Sequence, residues 1–388
     1  MIAGAHDARP AAGDAERKAA LPDKPETMEA LLSTLGHGAA SIHYLVTDDR
    51  LRIIVTTAGS QRERDVIISS DELNRKIMSF RSALENLRSS PLPAARELYG
   101  IMIAPIDNDL SQAGVQTLLL NLYGALRYLP VAALHDGNGY LLERYRMAVC
   151  TPAAKTAMGE QPKQQWRVGG LGMSHPIRNF EPLRYVPAEL ESIVRRDTAD
   201  TDGVLPGVIY LDNAFSRQAF ESVLREGYPV IHIASHFELK PGTKKSSYLL
   251  LGDGTMLSLA EIKDRNYDFS GVDMLTLSAC NTAVGTSQDN GSEVESFGAL
   301  AQHQGAQGVL ATLWQVGDRS TCVLMQNFYQ FRAENPGMTK AEALARAQLM
   351  FVRGESRAGN RIEAKRGMRV MSPGTKGDAE PSAADADA

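Results

Sequence analysis

Pro229-Val230-Ile231-His232-Ile233-Ala234-Ser235-His236 and Val272-Asp273-Met274-Leu275-Thr276-Leu277-Ser278-Ala279-Cys280 decide the fold. Each is a short apolar, β-branched run bounded by turn residues, the pattern of a strand buried on both faces in a parallel sheet. The first closes on a histidine and the second on a cysteine. If the two strands run parallel, their carboxyl ends share one edge of the sheet, where open α/β sheets place their ligand crevice. A thiol and an imidazole brought together there are the minimum equipment for nucleophilic acyl transfer.

Outward from this pair, strand candidates at 167–171, 207–211, 248–251 and 308–313 alternate with helix candidates. The helices fall near 187–196, 216–225, 259–263, 293–304, 320–333 and 339–352. Such alternation argues for a parallel, doubly wound sheet flanked by helices. Upstream, 42–46, 52–56 and 66–68 read as a meander whose first turn is Asp48-Asp49. Ser69 and Glu72 make a capping box for a helix carrying Leu73, Ile77, Phe80, Leu84 and Leu87 at helical spacing. A second helix near 94–103 is expected to stop at Pro105, and 116–120 and 125–130 read as strands. The expected organisation is a disordered leader (1–27), an α+β half (28–150), a catalytic half (151–352) and a disordered tail (353–388). Within the tail, the basic stretch from Arg353 to Arg369 reads as solvated.

With 388 residues, 43% of them hydrophobic, the chain has enough apolar material for a large core. A formal net charge of -5 gives no reason to expect nucleic acid or an anionic membrane as partner. Cys150, Cys280 and Cys322 form an odd, sparse set, which argues against a disulfide framework and for a reducing compartment. There is no signal-like apolar segment and no apolar run of membrane length, so a cytoplasmic location is expected. Gly169-Gly170-Leu171-Gly172 lacks the dinucleotide spacing, and neither a phosphate loop nor a Gly-x-Ser-x-Gly elbow occurs. Histidines and cysteines do not cluster at zinc spacing, so no metal or cofactor is expected.

Cys280 ends a strand and precedes a glycine-rich loop, Gly285 to Gly291, a position that suits an exposed nucleophile. Read from pattern alone, it is equally a small buried hydrophobe, as are Cys150 and Cys322 within their apolar surroundings. His236 opens a loop, whereas His232 inside the strand reads as a hydrogen-bonded core residue. His135 reads as structural, and His175, after another strand, is a rival base.

Ile231-His232-Ile233-Ala234-Ser235-His236 and Leu275-Thr276-Leu277-Ser278-Ala279-Cys280-Asn281-Thr282 resemble the two signature blocks of CHAT domains, caspase-like peptidases usually found beside tetratricopeptide repeats. The resemblance extends to Leu126 through Gly137, Leu249 through Gly254, Gly305-Ala306, Leu313 through Val316 and Phe328-Tyr329, and so covers roughly 40–350. It implies a caspase-like sandwich with a mainly parallel sheet, preceded by an α+β half. It also implies His236 as general base, Cys280 as nucleophile, and the backbone N–H groups of Cys280 and Phe237 as oxyanion donors. Phe237 stands where many caspase-like relatives have glycine, and the family's aromatic-rich final strand has no counterpart after Phe351. Trp314-Gln315-Val316-Gly317-Asp318 is similar to a segment of separase-type peptidases, which implies Asp318 as the reader of a basic side chain before the scissile bond. Its alternative is a helix N-cap. Glu293 and Glu295 are rival acids in the first turn of a helix, where the macrodipole already favours them.

The expected activity is cysteine endopeptidase cleavage of a protein substrate through a His-Cys dyad, with a regulatory protein partner or assembly. The alternatives are a latent or inactive CHAT scaffold that acts as an interaction module, and thiol acyl transfer to an acceptor other than water.

Overall fold

The computed structural model describes residues 28–35, 38–86, 88–151, 165–238, 247–278, 296–313 and 317–355. Helix α1 (Met28–Thr34) precedes a meander of β1 (Ala39–Val46), β2 (Arg50–Thr56) and β3 (Gln61–Ile67). Helices α2 (Ser70–Glu85), α3 (Leu92–Met102) and α4 (Ala104–Gln112) follow, then β4 (Thr117–Asn121) and β5 (Arg146–Val149). These strands form one sheet in the order β3-β2-β1-β4-β5, antiparallel on the meander side and parallel on the other. Alternation buries Ile42, Tyr44, Leu51, Ile53 and Val55 against Phe80, Leu98 and Met102 of the helices. Ser69 caps α2, its hydroxyl accepting the Glu72 N–H at 3.2 Å.

One expectation in this half is refined and one is corrected. The second helix ends where expected, α3 stopping at Met102, but Pro105 opens no loop: it is the second residue of α4, which begins at Ala104. A proline there costs nothing, because the N–H it lacks has no partner in a first turn. Residues 125–130 are not a strand but lie in and after a 3-10 helix, Gly124–Tyr128. Gly124 has a φ of 57° and turns the chain out of β4, and Leu129 N–H then closes on the Leu126 carbonyl at 3.0 Å.

The second half begins with β6 (Val168–Gly172) and α5 (Val186–Ile193), followed by β7 (Val194–Arg195), β8 (Leu205–Leu211) and α6 (Arg217–Arg225). Next come β9 (Val230–Ala234), β10 (Phe237–Glu238), β11 (Tyr248–Leu250), β12 (Met256–Ser258) and α7 (Leu259–Asp264). The described chain ends with β13 (Met274–Ser278), α8 (Ser296–His303), β14 (Val309–Ala311), α9 (Asp318–Glu334) and α10 (Lys340–Val352). The main sheet has the order β14-β13-β9-β6-β8-β7, and every pairing in it is parallel. On one face Leu171, Ile231, Ile233, Leu275 and Leu277 pack against α6, α7 and α8. On the other, Val168, Val230, Met274 and Ala234 pack against α5, α9 and α10. This is an α/β sandwich of the caspase-like kind, with a mainly parallel sheet flanked by helices.

The glycines of β6 serve packing. A Cβ on Gly172 would stand 2.6 Å from both Val186 and Leu190 of α5, and one on Gly169 would collide with Val223 of α6. The segment around 248–251 forms a strand as expected, but not in the main sheet. It is the middle strand of a small antiparallel sheet, β10-β11-β12, beside the carboxyl end of β9.

Candidate active site

Strands β9 and β13 are neighbours, parallel, with Ala234 in register with Ser278 and Ile233 with Leu277. The last described rung of this ladder is the Ser235 N–H donating to the Ser278 carbonyl at 3.2 Å. His236 follows directly. Cys280 lies outside the described residues, two positions after Ser278, as do the glycine-rich loop, Glu293 and Glu295.

His236 is held from three sides. Its Nε2 lies 2.9 Å from the Glu181 carbonyl oxygen, and the Phe180 ring covers it with a centroid separation of 4.8 Å and a 33° tilt. Its own carbonyl accepts the Leu250 N–H at 3.0 Å. A carbonyl can only accept, so the neutral ring carries its proton on Nε2, leaving Nδ1 as the basic nitrogen. Only 6% of the residue is exposed. Burial lowers the imidazole's pKa below the ordinary histidine value, while the bond to the Glu181 carbonyl pulls the other way.

Phe237 begins β10 and faces Leu249 of β11. Because Leu250 donates to the carbonyl of His236, this pair is a non-hydrogen-bonded one of the antiparallel ladder. The Phe237 N–H therefore points away from β11. Its ring is buried against Phe297 of α8, 5.3 Å between centroids. A phenylalanine is thus accommodated here by placing the side chain in the core.

The remaining candidates separate by environment. His232 is fully buried, with Nε2 2.8 Å from Glu189 Oε1 and Nδ1 3.1 Å from the Tyr329 hydroxyl. His135 accepts the Gly137 N–H at 2.9 Å and packs edge-on against Tyr140, so it shapes a turn. His175 is largely exposed and lies 3.4 Å from the Asp212 carboxylate, which is itself held by the Ser174 N–H and hydroxyl. Cys150 and Cys322 are both buried in apolar surroundings, the latter against Tyr185 and Ala188. Asp318 is not an N-cap: Gly317 holds that position with extended backbone, and Asp318 is the first residue of α9. Trp314 to Val316 and the Asp318 side chain lie outside what is described.

Two site features carried no signal in the sequence. The Glu181 carbonyl is a backbone group that any residue could supply. Phe180 belongs to a loop held by the Ile177–Phe180 bridge, with no motif of its own. Among the described residues no group of three His, Cys, Asp or Glu side chains is placed to hold a metal ion, and no helix is long and apolar enough to cross a membrane.

A mainly parallel sheet flanked by helices on both faces is consistent with a caspase-like α/β fold. The family model for the CHAT domain matches residues 92–381, most of the chain, and the chain belongs to that family. No curated protein matches it.

Proposed function

We propose that this CHAT domain is a cysteine endopeptidase in which His236 is the general base and Cys280 the nucleophile. The observation that carries the reading is the rung between Ser235 and Ser278. It sets the described ends of β9 and β13 side by side at one edge of the sheet, one residue before His236 and two before Cys280 in the sequence. Nδ1 of His236 takes the thiol proton, and the thiolate attacks the scissile carbonyl carbon. The oxyanion is held by the N–H groups of Phe237 and Cys280; a donor of this kind is worth about 2.7–4 kcal/mol of barrier. The imidazolium returns its proton to the leaving amine, and water, deprotonated by the same nitrogen, releases the acyl-enzyme. Glu181 keeps the tautomer in place throughout.

The substrate class is protein, with a basic residue before the scissile bond if Asp318 lines that pocket. Asp318→Ala is then expected to abolish an Arg or Lys preference in a peptide-library profile; an unchanged preference would remove Asp318 from the pocket. A thiolate nucleophile fits a reducing compartment such as the cytoplasm, and control by a protein partner fits a peptidase that shares a compartment with its targets.

One observation favours the second reading, a latent or inactive scaffold: the imidazole is nearly closed to solvent beneath Phe180. A thiol-directed acyloxymethyl ketone separates the two. An active or activatable peptidase is labelled at Cys280 and loses labelling in His236→Ala, whereas a scaffold is not labelled at Cys280 under any activating condition.

A further inference from the structure

We propose that Glu189 is a positioning residue for this site, fixing the register of the two strands that lead to His236 and Cys280; the inference rests on the dyad reading above. Glu189 lies on α5, which follows the loop bearing the Glu181 carbonyl, and is 1% exposed. Its Oε1 accepts from two strands at once, from the Ser278 hydroxyl of β13 at 2.6 Å and from His232 Nε2 of β9 at 2.8 Å. His232 and Ser278 are themselves buried, at 0% and 2% exposure. The far side of the imidazole meets the Tyr329 hydroxyl at 3.1 Å, and that hydroxyl meets Thr276 Oγ1 at 2.7 Å. One carboxyl group therefore joins β9, β13 and α5, the three elements that lead to the base, the nucleophile and the carbonyl orienting the base.

The staple fixes strand register. A one-residue slip between β9 and β13 is forbidden by the hydrophobic pattern, since it would turn every side chain to the wrong face. A two-residue slip is not forbidden that way: Ile231, Ile233, Leu275 and Leu277 would keep their face, and the parallel ladder would re-form. Such a slip would move the strand ends apart by about 6.6 Å, beyond the reach of a thiol–imidazole hydrogen bond. Glu189 distinguishes the two registers because it needs the His232 nitrogen and the Ser278 hydroxyl at the same place. A carboxyl in this position is otherwise costly to bury, and fixing a unique arrangement is the best-attested use of such polar groups.

The test uses the full chain with Ser278→Ala, Glu189→Gln, Ser278→Thr and His236→Ala. Iodoacetamide alkylation of Cys280 is followed against pH by peptide mapping, which separates it from Cys150 and Cys322, alongside peptidase kinetics and thermal melting. Ser278→Ala and Glu189→Gln are expected to shift the Cys280 alkylation profile toward that of His236→Ala. They are also expected to lower kcat by about tenfold or more with KM little changed. Ser278→Thr, which keeps the hydroxyl, is expected to restore both. Wild-type profiles and kcat in Ser278→Ala and Glu189→Gln overturn the proposal. So does a loss of kcat that follows melting temperature alone and is not restored by threonine. If His236→Ala leaves Cys280 alkylation unchanged in the first place, the dyad reading fails, and the positioning role fails with it.

Discussion

His236 sits under opposing influences. Burial, to which the Phe180 ring contributes, lowers its pKa, and the Glu181 carbonyl raises it by a smaller amount. Phe180→Ala is expected to move the pKa of His236 up toward the ordinary 6.5, read by NMR titration of the ring; an unmoved value would mean that other neighbours supply the desolvation. The lowered folded-state value means that protonation favours the unfolded chain. The residue's contribution to stability is therefore intact above the ordinary histidine range and is lost as pH falls through the lowered one. At this scale, His236 stood out in the sequence because it ends an apolar run where a loop begins. Glu189 did not, because an acid in the first turn of a helix already has an ordinary explanation in the macrodipole. Its burial beneath the sheet depends on partners 43 and 89 residues away.

At the scale of elements, the parallel strands were legible because burial on both faces leaves an unbroken apolar run. The segment at 125–130 misled for the same reason. Leu126 and Leu129 are apolar and buried, but their spacing serves a 3-10 turn after a glycine that reverses the chain. The docking of α10 onto the sheet was not legible at all. Lys340 Nζ donates to the Asp273 carbonyl at 2.8 Å and to its carboxylate, and the same carboxylate accepts from Trp166 Nε1 at 2.7 Å. Asp273 is fully buried, whereas the Lys340 side chain is a quarter exposed. Lys340→Met keeps the aliphatic stem and removes the charge. It is expected to destabilise by about 2–3 kcal/mol, less than the roughly 3–5 kcal/mol for breaking a fully buried pair. Urea unfolding reads this directly, and a change below about 0.5 kcal/mol would show that Lys340 does not offset the burial of the Asp273 carboxylate.

Across the described residues, the two larger of the three sheets divide the labour. The first packs its core against α2, α3 and α4, while the second carries the candidate site at the carboxyl end of β9. The ion pair of Arg146 with Glu342 at 3.8 Å joins the halves. The family match begins at residue 92, within the first half, and runs across both. His236 after β9 and Cys280 beyond β13 are proposed to form one catalytic dyad. Cleavage of a protein or peptide-library substrate by the full chain, its Cys280→Ala variant and its His236→Ala variant tests it most directly. Each variant is expected to remain folded and to lose cleavage by about a thousandfold or more. Cleavage that survives both substitutions would contradict it.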